Sequence, residues 1–279
     1  MDKIRQKLKG WKERNLSFSG TGVLIRAVIQ AIPTYVMSVF LIPQGICDKI
    51  EQAICRFWWG GNEEKRKIHW KNKETLFKPK QQGGQGFRTM RSFNEALLAK
   101  KIWRLHQNPD SLLARCLKAK YYSHTNVLKA RLGHRPSFVW RSIFHATWVI
   151  QKGGCWKIGN GSNINVWEDK WLPQQHGFKI LKQHEQHTSN LLVKDLRNEQ
   201  GTWNLPLLNN LLFPFERDLI LQIPLIKEEM TYTFMWMLTK DGNYTVKSGY
   251  NAIREWHYNQ EQGPSNMNLI KLLGKCFGT

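Results

Sequence analysis

Cysteine is scarce in this 279-residue sequence and poorly arranged for chemistry. Cys47, Cys55, Cys116, Cys155 and Cys276 are scattered, odd in number, and form no CxxC pair. That spacing excludes a disulfide framework and a zinc ribbon, and it fits a reducing intracellular compartment. No apolar run follows the charged opening Met1–Lys9, so no secretory leader is expected. Long hydrophobic runs are missing too. Val23–Ile42 comes nearest, but Arg26, Gln30, Thr34 and Ser38 recur at i, i+4 along it. That stripe predicts an amphipathic helix packed on a soluble core and kinked or interrupted at Pro33, with no membrane insertion. There is no long internal repeat and no low-complexity tract.

Catalytic signatures are equally thin. Adjacent carboxylates occur at Glu63-Glu64, Glu168-Asp169 and Glu228-Glu229. Acid–base or two-metal chemistry needs carboxylates that converge, whereas neighbours on a strand point to opposite faces. No Tyr-x-Asp-Asp turn is present. His176, His184 and His187 sit in a polar Gln/His-rich segment, but His184-Glu185-Gln186-His187 is not HExxH and has no third ligand at suitable spacing. Gly83–Gly86 lacks the Lys-Ser/Thr of a P-loop and reads as a turn. Neither a Ser-His-Asp nor a Cys-His arrangement stands out. The residues therefore predict no catalytic set, no metal ligands and no cofactor, and the chain by itself is expected not to be an enzyme.

What is present is a large apolar fraction and a lopsided charge. Hydrophobic residues make up 41%, with 13 Trp and 13 Phe, enough for a packed core. The net charge is +21: residues 1–150 hold 28 Lys/Arg against nine Asp/Glu, while residues 151–279 hold 14 against 12. So strong an asymmetry points to a polyanionic partner for the first part, nucleic acid ahead of an acidic membrane surface.

Periodicity predicts helices over most of residues 1–150. Ile46, Ile50, Ile54 and Phe57 define one, ended by Gly60-Gly61. A charged connector, Glu63–Lys73, comes next. Ser92 and Glu95 read as a capping box before Ala96–Leu105, Asn108-Pro109 as the start of a helix through about Tyr122, and Ser137–Ile150 as a third. Two hairpins are then expected. Asn160-Gly161 would join Trp156–Gly159 to Ile164–Trp167, and Lys240-Asp241-Gly242 would join Thr233–Thr239 to Asn243–Lys247. Gly249–His257 reads as a short helix. The expected fold is a mainly α N-terminal helical domain, residues 1–150, followed by a smaller α+β part with two β-hairpins, residues 151–279.

The basic residues fall at helical spacing. Lys101, Arg104 and Asn108 lie at i, i+3, i+7 with Lys100 adjoining, and Arg115 and Lys118 repeat the i, i+3 step with Lys120 nearby. Stripes of this kind suit phosphate contacts that position a duplex without reading its sequence. Lys100, Lys101, Arg104, Arg115, Lys118 and Lys120 are thus the candidate nucleic-acid-binding residues.

Several ordered motifs carry a resemblance. They run Gly10-Trp11-Lys12, Leu16-Ser17, Gly20, Leu24-Ile25, Ala31-Ile32-Pro33-x-Tyr35, Phe57-Trp58-Trp59-Gly60 and Ile68-His69-Trp70. They continue with Pro79-Lys80, Gly83-Gly84-x-Gly86, Asn94-x-Ala96-Leu97, Lys100, Trp103-Arg104-Leu105, Lys120-Tyr121 and Val139-Trp140-Arg141-Ser142-Ile143. Trp156-x-Ile158-Gly159-x-Gly161, Trp167-x-Asp169-x-Trp171-Leu172 and Tyr244-x-Val246-Lys247-Ser248-x-Tyr250 complete the set. The chain resembles plant-type non-LTR (LINE-type) retroelement reverse transcriptases in the region after the palm. Thr21-Gly22, Gln85 and the tail Gly274–Thr279 depart from that pattern.

The resemblance implies a basic, thumb-like helical domain over 1–150. Residues 151–279 would be a connection and the start of a reverse-transcriptase zinc-binding region that stops before the zinc ligands. In that family the palm aspartates would precede Met1, and a ribonuclease H domain often lies further on. The implied role is to hold the template–primer duplex of an RNA-directed DNA polymerase by its phosphates, with upstream polymerase domains as partners and the nucleus as the suspected compartment. The alternative is a structural or interaction remnant of a decayed retroelement with no independent activity.

Overall fold

In the computed structural model the described residues are 2–12, 16–60, 68–159, 161–173, 176–181, 190–225 and 233–261, without the side chains of Lys12, His176 and Glu261. Among them the chain is mainly helical with one small two-stranded antiparallel sheet, the fold class expected. It divides into two compact units: Met1–Val149 with Gly249–His257, and Ile150–Ser248 with Tyr258–Thr279.

The first unit begins with α1 (Asp2–Lys12), α2 (Phe18–Leu24), a π-turn over Ile25–Ile29, α3 (Thr34–Met37) and α4 (Gln44–Trp58). α4 is the helix expected from its isoleucine spacing, and Gly60 takes the left-handed conformation (φ 70°) just beyond its end. The polar stripe of Val23–Ile42 does not face solvent as an amphipathic helix would require. Gln30 is fully buried and donates to the Arg88 carbonyl (3.2 Å), and Arg26 donates to the Gln85 carbonyl (3.4 Å). The exposed residues of this stretch are instead Val23, Ala27, Ala31, Tyr35 and Val36. The interruption at Pro33 is as expected, with Pro33 capping α3.

α5 (Lys73–Phe77) leads into the glycine loop, which is a turn. Gly83 and Gly86 adopt φ of 77° and 68°, Gly86 donates to the Lys78 carbonyl (2.9 Å), and a Cβ on Gly84 would collide with the Lys78 backbone. α6 (Met90–Gln107) runs through the core, burying Phe93, Leu98, Ala99, Ile102 and Trp103. Its start lies earlier than the Ser92/Glu95 capping box predicts. Thr89 is the N-cap, and the carboxylate of buried Glu51, reaching over from α4, accepts from Met90 N (2.7 Å). The cap thus comes from a residue distant in sequence, which a local motif cannot show. Glu95 lies inside the helix and pairs with Arg91 (2.8 Å).

α7 (Leu112–Tyr121) begins after Ser111, whose hydroxyl accepts from Ala114 N (3.3 Å), and not at Asn108-Pro109. The expected third helix is two: α8 (Phe138–His145), capped by Ser137, and α9 (Thr147–Gly153), broken at Ala146. α12 (Val246–Glu261) returns a segment to this unit, where the Tyr250 hydroxyl accepts from Thr89 N (3.1 Å).

The second unit is built on aromatic and aliphatic side chains. Ile164, Val166, Trp167, Trp171, Leu172, Val193, Leu196, Leu208 and Ile220 form its main buried cluster, under α10 (Leu205–Leu211) and α11 (Pro214–Leu221). The strands form where expected but pair differently. β1 (Gly154–Lys157) is antiparallel to β2 (Thr233–Trp236) in the register Gly154↔Trp236 and Lys157↔Thr233, so each expected hairpin gives one strand to a shared sheet. Ile164–Trp167 makes only an isolated bridge, Asn165↔Leu192. Gly153 and Gly154 allow this pairing, because a Cβ on either would strike the rings of Trp236 and Phe234.

Candidate nucleic-acid interface

α6 offers solvent one narrow face, because its other sides pack on α4 and α8. Lys100, Lys101 and Arg104 share that face: the first two are half-buried and Arg104 is exposed. On α7 the residues facing inward are Ala114 and Leu117. Arg115 and Lys118, both exposed, sit together on one flank. Lys120 lies about 200° around the helix from Lys118 at 3.6 residues per turn. Its ammonium rests 5.4 Å from the centre of the Tyr121 ring. The six candidates therefore occupy three places: one face of α6 and two flanks of α7.

The loop from α7 to α8 is held by aromatic stacking. The Tyr121 ring lies 4.9 Å from that of buried Trp140 at an interplanar angle of 6°, and Tyr122 flanks the same indole at 5.6 Å. The Tyr121 hydroxyl accepts from Ser137 N (3.0 Å), and the Trp140 indole donates to the Leu132 carbonyl (3.3 Å). Burial of Val127 and Leu128 anchors the first part of the loop. The Ser137 hydrogen bond holds the Tyr121 hydroxyl below the usual phenol range, an effect the neighbouring Lys120 reinforces. A loop fixed at both ends in this way presents Lys129, Arg131 and Arg135 to solvent in a set arrangement, and Arg141 on α8 is exposed as well.

These four cations escape a periodicity search because three of them lie outside α-helix. A different signal marks them: between Asp110 and Glu168 the chain has no Asp or Glu at all, yet carries nine Lys/Arg. Elsewhere in the unit the carboxylates near the core are consumed internally. Glu51 binds Lys73 (2.6 Å) as well as Met90 N, and Glu95 binds Arg91. Among the described residues no carboxylate pairs with Lys101, Arg104, Arg115, Lys118, Arg131 or Arg135. The exposed charge of this surface is therefore of one sign over α7 and the loop.

The catalytic candidates stay apart. Asp169 is buried and accepts from Asn165 N (2.9 Å), whereas Glu168 is exposed. Glu63-Glu64, Glu228-Glu229, His184, His187, the His176 side chain and Cys276 lie outside the described residues. Cys47, Cys55 and Cys155 are buried, and burial pushes the first two thiols up to about 11. Among the described residues no three His, Cys, Asp or Glu side chains are gathered to hold a metal ion, and no helix is long and apolar enough to cross a membrane.

No family model matches the chain. It is 41% identical over 143 residues to a protein of Arabidopsis thaliana named "Uncharacterized mitochondrial protein", covering 51% of this chain and 93% of that one. The chain belongs to the family of that Arabidopsis protein. A second Arabidopsis protein, named "Putative ribonuclease H protein", is 29% identical over 265 residues, which is 91% of this chain but 42% of that protein. The chain thus spans less than half the length of this second relative.

Both relatives accord, in broad terms, with a retroelement-related chain. The second corrects the expectation that the chain by itself is no enzyme, since nearly all of it aligns with a protein bearing a nuclease name. That expectation rested on the lack of short local motifs, whereas a catalytic set is assembled by convergence in space. The relatives lend no support to the nucleus, and one is named as mitochondrial.

Proposed function

We propose that the chain is the duplex-holding part of a retroelement reverse transcriptase, gripping the template–primer through its phosphates in the region after the palm. The observation that carries this reading is the carboxylate-free stretch between Asp110 and Glu168, with Lys118, Lys129, Arg131 and Arg135 exposed along α7 and the pinned loop. Lys100, Lys101, Arg104, Arg115 and Lys120 extend the surface to either side. Lysine and arginine placed this way neutralise phosphates and release condensed counterions, giving affinity without sequence preference. The ribonuclease H name of a relative aligned over 91% of the chain fits a nucleic-acid substrate. Nucleic acid, as RNA or DNA duplex, is the proposed partner.

The test is a salt titration of duplex binding by the full chain. With roughly four to six phosphate contacts, the log–log slope should be about −4 to −5 for a B-form duplex. Binding should be indifferent to sequence. A slope near zero, or strong preference for one sequence, would contradict the reading.

A second reading, a segment that docks on other parts of a longer protein, is favoured by large apolar side chains left exposed in the first unit. Tyr35 is 82% exposed and Trp70 79%, with Leu112 and Ile68 close behind. Poor solubility of the chain alone, together with no salt-dependent duplex binding, would favour it.

A further inference from the structure

The second unit, close to neutral overall, nevertheless gathers three lysines. The backbone accounts for the meeting. Lys170 Nζ donates to the carbonyl of Gln151 in the last turn of α9, which puts it beside Lys152. The chain leaving Lys170 then meets Phe178, whose carbonyl accepts from Trp171 N (2.9 Å) and Leu172 N (3.1 Å), and this brings in Lys179. Phe178 adopts φ 62°, a left-handed conformation rare for an aromatic residue, directly before Lys179. Its ring is buried with Cys155 and Met237, which fixes the turn from below.

The charges of Lys179 and Lys152 both act on Lys170. Lys170 is half-buried: burial lowers its proton affinity most, then Lys179, while Cys155 opposes them and Lys152 adds a smaller lowering. Lys152 and Lys179 are exposed and open the cluster to solvent. Asp169, the preceding residue, is buried and its carboxylate accepts from Asn165 N. Among the described residues no carboxylate acts on Lys170. Three donor-only cations held together by backbone, one of them partly desolvated, are complementary to a group with several anionic oxygens.

We propose that Lys152, Lys170 and Lys179 form a phosphate-binding site in the second unit, separate from the basic surface of the first. The ligand chemistry is a phosphate group, supplied either by a nucleic-acid backbone or by a free oligophosphate. The site does not rest on the duplex-holding reading, since its residues, unit and local charge differ from those of the first surface.

The test uses the full chain and two probes. Inorganic tripolyphosphate binding is measured by calorimetry on the wild type, on K152Q/K170Q/K179Q and on the charge-matched control K194Q/K240Q/K247Q, which replaces exposed lysines of the same unit. The site variant should lose at least about tenfold in affinity and the control almost nothing, because the effect is local. K152Q/K179Q, which leaves the Lys170 bond to Gln151 intact, should show most of the loss if the triple variant folds poorly. Equal losses in site variant and control, or no loss in either, would overturn the site. The salt series with duplex separates the two sources. A slope flattened by about 2 to 3 in the site variant alone marks a nucleic-acid backbone phosphate. An unchanged slope with lost tripolyphosphate binding marks a free oligophosphate. A wild type that binds tripolyphosphate but no duplex would sink the duplex-holding reading and leave this site standing.

Discussion

The two units spend their carboxylates differently. In the second, Asp169, Asp195 and Glu216 each accept from backbone N–H groups of nearby loops: Asn165, Leu192, and Leu181 together with Phe213. They are numerous enough to leave its charge close to balance. In the first, the two best-buried carboxylates, Glu51 and Glu95, are committed to Met90 N, Lys73 and Arg91 inside the helical core. The surface beyond them, over α7 and the loop to α8, has none. The charge a unit leaves exposed depends as much on where its acids are used up as on how many bases it has. The same contrast sets apart the lysine cluster at Lys152, Lys170 and Lys179, a local exception in a nearly neutral unit.

The largest expected effect separates the units through their tryptophans. Trp140 and Trp171 are both fully buried. Replacing either by Ala should cost about 3–5 kcal/mol in urea unfolding, from lost transfer energy plus the cavity left behind. Only Trp140→Ala, which also releases Tyr121 and the basic loop, should weaken duplex binding under conditions where the protein remains folded. A matching loss of binding in Trp171→Ala would erase the distinction.

Glu51→Gln comes next. It removes the charge that both Lys73 and the start of α6 use, and should cost about 1–3 kcal/mol as a lost charge-assisted bond. The counterpart Glu216→Gln should cost less. Its burial already pushes that carboxyl up towards the neutral form, and a Gln oxygen still accepts from Leu181 N. Comparing the two denaturation midpoints checks the order.

The smallest effect is a pH dependence in the first unit. Burial holds the half-buried imidazole of His106 below the ordinary value of 6.5. In the interval between the lowered folded value and 6.5, the unfolded chain binds more protons. Stability should therefore fall as pH drops through that interval, and be fully present above it. His106→Gln should flatten this part of the profile, and an unchanged slope would assign it elsewhere.

Much of the fold is legible in the sequence, and the gaps have physical causes. Helices show through local spacing, so α4 and the Ser137 cap of α8 are visible. Strand pairing is a long-range choice, so Trp156 and Phe234 are recognisable as strand residues but not as partners. The polar stripe at Arg26 and Gln30 looks solvated because a sequence does not show that carbonyls of residues 85 and 88 wait on the other side. On the surface, Lys100, Lys101, Arg104, Arg115, Lys118 and Lys120 stand out because they repeat at helical spacing. Lys129, Arg131 and Arg135 do not, because aromatic stacking, and not periodicity, sets the loop that carries them.

In the proposed function, position and not net charge makes the first unit grip phosphates. The direct measurement compares K118Q/R131Q/R135Q with K194Q/K240Q/K247Q, two full-length variants that each lose three charges, in duplex binding across a salt series. The first should flatten the log–log slope by about 2 to 3, and the second should leave it unchanged. Equal flattening in both variants, or an unchanged slope in the first, would contradict the account.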